Sequence, residues 1–302
     1  MPTPNPESNA PIGAFDSGLG GLTVIRALRE TLPAERIVYI GDTAHVPYGG
    51  RAPEEIQAFS LAIARYLVET HGVKAIVVPC NTATSAAVPL LREAFPNIPI
   101  IGTEPGVKPA ARATKTGTVA VLATLGTLNG NRMARLVSTF AEGVTVLKQP
   151  CPRWVELVEA GKFDTPETED AVRECVEPLL ARGADVLVLG CTHFPALTPL
   201  IARVAGSGVT IIDTTDAVVR RVADVVCPAP PGSVGGLMLY ATGADTERFA
   251  AGARHLLGAG DGFFSVGSGD GVSAVEAGRS WDAPGNCVPP LEVQHLVILR
   301  IK

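Results

Sequence analysis

Apolar residues along this chain follow two alternating patterns. Short continuous runs of Val, Ile, Leu and Ala give way to stretches where apolar residues return every three to four positions. Runs of the first kind suit strands buried on both faces, and the second pattern suits amphipathic helices. Their alternation predicts an α/β fold with mainly parallel sheets flanked by helices. The runs at 12–15, 36–41, 73–79 and 99–102 read as strands, and Leu22, Ile25, Leu28 and Leu32 mark a helix that Pro33 ends. Ile56, Phe59, Ile63 and Leu67 mark another. After a Glu104-Pro-Gly crossing point the pattern resumes, with strands at 117–122, 144–147, 183–190 and 209–213 and helices at 168–182 and 217–226. Past Pro228 the chain is linker-like, with one more strand at 237–241. From about Gly267 it is rich in Gly, Ser, Asp and Pro, without periodicity until 296–299.

Two of these strands share an ending. Val73-Lys-Ala-Ile-Val-Val-Pro-Cys-Asn-Thr82 is echoed by Gly183-Ala-Asp-Val-Leu-Val-Leu-Gly-Cys-Thr192, followed by His193. Cys80 and Cys191 lie 111 residues apart, about a small domain, which suggests two similar α/β halves each presenting one thiol. Each thiol would sit at the carboxyl end of a strand beside a helix N-terminus, where open α/β sheets bind ligands. Against this stands plain coincidence, since short aliphatic strands are common and buried cysteine is usually inert.

Composition narrows the class. The chain has 302 residues, enough for two compact domains, with 46% hydrophobic residues and a net charge of -5. That charge, without a basic cluster, argues against a nucleic-acid surface, and no run reaches the roughly 20 apolar residues of a membrane span. The start, Met1-Pro-Thr-Pro-Asn-Pro, lacks the basic and apolar regions of a signal peptide and reads as a disordered tail, so a cytoplasmic location is expected. Besides the two thiols, Cys151, Cys175, Cys227 and Cys287 show no Cys-x-x-Cys and no regular spacing, so no disulfide framework or zinc ribbon is indicated.

Other polar residues gather at strand ends. Asp16-Ser-Gly-Leu-Gly-Gly21 forms a glycine-rich turn that would let the backbone approach a small anion, with Asp16 alternatively a helix cap. Its spacing fits neither Gly-x-Gly-x-x-Gly nor a Walker loop. The loop 42–51 suits a ligand-facing connection or a plain turn with Tyr48 packed over it. Thr124 and Thr127 could bind a carboxylate or cap a helix.

Three chemistries remain open for the thiols. Inverting a carbon stereocentre needs a base on one face and an acid on the other, which two pseudo-symmetric cysteines supply. Acyl transfer by one cysteine with His193 as base is a second. A metal or redox-disulfide site holding Cys80, Cys191 and His193 is the third.

Taken in order, Asp16-Ser-Gly-Leu-Gly-Gly, Pro47-Tyr-Gly, Pro79-Cys-Asn-Thr-Ala, Ala123-Thr-Leu-Gly-Thr and Gly190-Cys-Thr-His resemble the glutamate racemases of the aspartate/glutamate racemase superfamily. The resemblance runs from about Ile12 to Gly243. It implies a cofactor-independent enzyme, with neither pyridoxal phosphate nor metal, in which Cys80 acts on the α-proton of D-glutamate and Cys191 on that of L-glutamate. Asp16 would assist Cys80 and His193 would assist Cys191. Glu159 matches the acidic residue near the second thiol, while Glu156 stands where a proline is usual. Ser17, Pro47, Tyr48, Gly49, Asn81, Thr82, Thr124, Thr127 and Thr192 match substrate-binding positions. By the same resemblance residues 1–103 and 213–302 form one domain and 104–212 the other, with the site in the cleft between them. It further implies a homodimer and a D-glutamate supply for peptidoglycan synthesis. Superfamily relatives acting on aspartate or a hydantoin are the neighbouring alternatives.

Overall fold

The computed structural model describes residues 9–258, together with the backbone of 265–268 and 297–301. Residues 1–8 of the proline-rich start and the segment 281–290, with Cys287, lie outside the described residues.

Two sheets are built from the runs read in the sequence. The first takes β1 (Ile12–Asp16), β2 (Arg36–Gly41), β3 (Ala75–Val78), β4 (Ile100–Gly102), β9 (Gly236–Ala241), β10 (Ser265–Ser268) and β11 (Val297–Ile301), in the order β10-β11-β9-β2-β1-β3-β4. The second takes β5 (Thr118–Ala123), β6 (Thr145–Pro150), β7 (Val186–Gly190) and β8 (Thr210–Ile212), in the order β6-β5-β7-β8. All pairings are parallel except those of β11 with β9 and β10. Within the first sheet β2-β1-β3-β4 repeats the connectivity of β6-β5-β7-β8. The echo between the two cysteine strands is thus topological: β3 and β7 occupy equivalent places.

Helices cover both faces of each sheet, and the period-two alternation of the strands sorts side chains between them. In the first sheet Ile12, Ala14, Ile37, Tyr39, Ala75 and Val77 face α1 (Leu22–Thr31), α10 (Thr215–Val225) and α11 (Thr246–Leu257). Phe15, Val38, Ile40, Ile76 and Val78 face α2 (Pro53–His71) and α3 (Asn81–Ala94). In the second sheet Leu122, Leu147, Leu187 and Leu189 face α7 (Pro152–Glu159), α8 (Pro166–Ala181) and α9 (Thr198–Ala205). Val119, Val121, Val186 and Val188 face α4 (Val107–Ala113) and α6 (Asn131–Phe140). Burial on both faces is why these strands read as unbroken apolar runs.

The crossing point at Glu104 is where the chain leaves the first sheet for the second, and it returns after β8 through α10, which packs on α1. Among the described residues, helices α4, α5 (Leu125–Asn129), α6, α7 and α11 are present without having been marked in the sequence reading. Asp245 caps α11 by accepting from the Arg248 amide, and Gly258 ends it with φ +64°, a conformation only glycine adopts freely.

Candidate active site

Strand order decides where a site can lie. In each sheet the first strand has its neighbours on either side connected in opposite senses, which opens a crevice at the carboxyl ends of that strand and the next. Asp16 ends β1, and Cys80 follows β3. Thr124 follows β5, and Cys191 follows β7. The two crevices face each other, so one carboxylate, two thiols and several hydroxyls meet where the sheets approach.

The close approach depends on glycine. A Cβ on Gly18 would fall 2.0 Å from Glu159 Oε1, and one on Gly20 would fall 2.6 Å from His193 Nδ1. Gly49 likewise lets the 48–50 turn press on Thr124, whose Cβ would be 2.7 Å from an added methyl. The glycine-rich turn does admit an anion to its backbone, but that anion belongs to the protein: the Leu19 amide donates to Glu159 Oε1 at 2.7 Å.

Cys80 is the N-cap of α3, its sulfur accepting from the Ala83 amide at 3.5 Å. The Asp16 carboxylate lies against the same thiol. Asp16 itself is fully buried: Oδ1 accepts from the Ser17 amide at 2.6 Å and the Ser17 hydroxyl at 3.2 Å, and Oδ2 from the Thr192 hydroxyl at 2.7 Å. It does not cap α1, whose N-cap is Gly21, so the capping alternative is excluded. Burial, and next the Asp16 charge, push the Cys80 thiol well above its ordinary value. Cys80 therefore rests as S–H.

Cys191 is held differently. The sequence reading put it beside a helix N-terminus, yet a 3₁₀ turn, Phe194–Leu197, intervenes and α9 begins only at Thr198. Two prolines, Pro195 and Pro199, lack the amides that a continuous helix would use there. In place of a helix terminus, Cys191 has His193 Nδ1 at 3.6 Å. On the other side of the ring, Nε2 lies 2.6 Å from Glu159 Oε1. A carboxylate can only accept, so Nε2 carries a proton, and Nδ1 faces the Cys191 sulfur, with which it can share a second one. Burial alone would lower the histidine pKa, but hydrogen bonds to Cys191 and Glu159 outweigh it and raise the value well above the usual range. The pair is arranged to pass the thiol proton to the imidazole. Glu156, three residues before Glu159, is exposed on α7 and makes no such contact.

Hydroxyls span the remaining gap. Thr82 Oγ1 lies 2.8 Å from Thr124 Oγ1 and 3.4 Å from Thr127 Oγ1, and the latter two are 3.0 Å apart. Thr124 also caps α5 through the Thr127 amide at 3.3 Å, the capping role weighed for it. Asn81 is buried, and its Oδ1 has no partner among the described residues, an acceptor suited to an ammonium donor. Tyr48 is buried with its hydroxyl donating to Asp42 at 2.6 Å, while Pro47 is exposed ahead of it. Sequence reading had passed over Asp42 and Tyr39. Asp42 also accepts from Thr242 at 2.6 Å, joining the ends of β2 and β9, and the Tyr39 hydroxyl donates to the Gly18 carbonyl at 2.6 Å. The one available signal was an aspartate at each strand end, Asp42 directly after β2 and Asp16 closing β1.

The sequence profile of the Asp/Glu/hydantoin racemase family matches residues 19–222, which include both cysteines. The chain belongs to that family. It is an amino-acid racemase, an isomerase. A glutamate racemase of Roseiflexus sp. is 46% identical over 248 residues, covering 81% of this chain and 91% of the relative. One from Herpetosiphon aurantiacus is 50% identical over 243 residues, covering 80% and 95%. Among solved structures, a glutamate racemase isoform of Bacillus anthracis superposes with a TM-score of 0.73 at 33% identity, covering 83% of this chain and 95% of that one. The Francisella tularensis glutamate racemase, solved with D-glutamate, gives 0.72 at 30% identity, covering 83% and 94%.

Among the described residues no group of three His, Cys, Asp or Glu could hold a metal ion. The five described cysteines are free thiols. Among the described residues no helix is long and apolar enough to cross a membrane.

Proposed function

We propose that this racemase interconverts L- and D-glutamate through two thiols acting on opposite faces of the α-carbon. What carries the reading is the unequal backing of Cys80 and Cys191 at equivalent strand ends. Cys191 faces a basic Nδ1 and can give up its proton; Cys80, buried beside Asp16, keeps its own. That difference favours Cys191 as the base toward L-glutamate and Cys80 as the acid toward D-glutamate.

The proton balance closes. His193 takes the Cys191 thiol proton, and the thiolate removes the α-proton of L-glutamate, leaving the electron pair on the α-carbon and its carboxylate. Cys80 then delivers its proton to the opposite face; the resulting thiolate takes up a proton from water relayed by Asp16, and the His193 imidazolium returns one to water, so no net proton is gained or lost. In reverse, Asp16 accepts the Cys80 proton first. The Thr82, Thr124 and Thr127 hydroxyls and the Ser17 and Thr192 groups supply donors for two carboxylates, and Asn81 an acceptor for the ammonium. No cofactor is required by this scheme. Two lobes, 1–103 with 213–302 and 104–212, would part to admit substrate, in a homodimer of the cytoplasm that supplies D-glutamate to peptidoglycan synthesis.

Incubation of L-glutamate with the protein in deuterated water, without added cofactor, tests this by polarimetry and proton NMR. Rotation decaying to zero while deuterium enters the α-position is expected. Turnover of aspartate or a hydantoin but not glutamate would move the substrate, and no exchange with any of them would overturn the reading.

A further inference from the structure

Helices α7 and α8 form an antiparallel hairpin whose register can be followed side chain by side chain. Near the turn Lys162 pairs with Glu167 at 2.7 Å. Further along, the Trp154 indole donates to the Ala171 carbonyl at 3.0 Å, and Arg153 pairs with Glu174 at 2.7 Å. One more turn in the same direction, three residues back to the N-cap of α7 and four forward on α8, brings Cys151 toward Cys175. Both belong to one apolar cluster, Cys151 buried and Cys175 partly exposed and packed against it, with the Cys151 thiol donating to the Gln149 carbonyl at 3.6 Å.

We propose that Cys151 and Cys175 form an oxidation site, a dithiol that peroxide converts into a disulfide tying α7 to α8. The racemase reaction uses neither thiol. Cys175 is the one solvent reaches, and its contact with Cys151 lowers its pKa while burial raises that of Cys151. Burial and the neighbouring Glu174 charge oppose that lowering, and Arg153, which pairs with Glu174, adds to it. The Cys175 thiolate attacks a peroxide oxygen, the O–O bond breaks, and a sulfenic acid and hydroxide result. Cys151 sulfur then attacks the Cys175 sulfur, the S–O bond breaks, and hydroxide leaves, taking up the Cys151 proton as water. Two electrons pass from the two sulfurs to the peroxide. Pro178 helps accommodate the bond, since it offers no amide to the Glu174 carbonyl and leaves the α8 turn at Cys175 less pinned. The tie would fix the start of α7, whose last residue, Glu159, orients His193.

Peptide mapping of the whole protein after hydrogen peroxide, without reductant, tests this. Trypsin should release residues 149–153 joined to residues 174–182, two hydrogens lighter than their sum and separated by reductant. The melting temperature should rise by roughly 5 °C on oxidation of the native protein, and not in Cys175→Ser. Cys175 found as sulfinic or sulfonic acid with no joined peptide overturns the proposal, as does a joined peptide linking Cys80 to Cys191 instead. Because mapping is read on the native chain, the test does not depend on any variant folding.

Discussion

The Leu19 amide and the Glu159 carboxylate meet at 2.7 Å across 140 residues of chain. The same oxygen, Oε1, lies 2.6 Å from His193 Nε2. One carboxylate therefore ties the glycine-rich turn after β1 to the histidine that faces Cys191. A second tie, from Thr192 to Asp16 at 2.7 Å, joins the neighbour of Cys191 to the carboxylate beside Cys80. The two thiol environments are thus built from each other's loops, and each depends on the spacing between the sheets.

Gly18→Ala tests that dependence. Its methyl would land 2.0 Å from Glu159 Oε1, so the carboxylate must move and His193 loses its anchor. An ångström of misplacement costs roughly 100-fold in rate, and kcat should fall by about that much. Gly208→Ala meets nothing within 4 Å and should leave the rate unchanged. Steady-state racemisation of both variants, followed by circular dichroism, decides; equal rates would show that the Glu159 contact is dispensable.

Separate roles for the thiols predict separate failures. Cys80→Ser and Cys191→Ser should each abolish racemisation, because a serine hydroxyl is too weak an acid to replace a thiol. Residual deuterium exchange should appear only in L-glutamate for Cys80→Ser and only in D-glutamate for Cys191→Ser, as NMR can read. His193→Asn should lower kcat from L to D by roughly 100-fold or more, and less in reverse. Enantiomers have equal free energy, so kcat/KM must fall equally both ways and KM must absorb the difference.

How much of this could be read from the sequence depends on distance along the chain. Each strand carries its own evidence, because a run buried on both faces is apolar throughout, and the 76–78 and 186–189 runs marked both cysteines. Pairings such as Thr82 with Thr124, Asp42 with Thr242 and Leu19 with Glu159 leave no local trace. Gly18 and Gly20 signalled close approach but not what approaches, so an internal carboxylate read as a place for a ligand. At α11 the cues were local and went unused: Asp245 as cap, Phe249, Ala253 and Leu256 at helical spacing, and Gly258 as stop. The 3₁₀ turn after Cys191 was foreshadowed by Pro195 and Pro199, which lack amides that one unbroken helix from Thr192 would use.

Thr82 and Thr124 separate binding from folding. Thr124 caps α5 and joins the hydroxyl cluster, so Thr124→Val should cost about 1 kcal/mol of stability and also raise KM. Thr82 caps nothing, so Thr82→Val should raise KM for glutamate roughly tenfold, as expected for one lost hydrogen bond to a carboxylate, with an unchanged melting temperature. Calorimetry beside Michaelis analysis distinguishes them. A Thr82→Val variant with native KM would remove the cluster from substrate binding.

Glu159→Gln should alter stability in a pH-dependent way whose sign follows from His193. In the folded protein the His193 pKa is raised: burial opposes the charge, but Cys191 and Glu159 more than compensate. A group whose folded pKa exceeds its unfolded value stabilises fully below the unfolded value, about 6.5 for histidine, and loses that contribution as pH rises through the folded one. Replacing the carboxylate by an amide removes the charge that favours the imidazolium while keeping a similar shape. The melting temperature of Glu159→Gln should therefore lie furthest below that of the native protein near pH 6, and the gap should narrow as the pH is raised toward 9. Thermal melts across that range measure it. A gap independent of pH would mean that Glu159 acts through the Leu19 amide alone and leaves the charge of His193 unaltered.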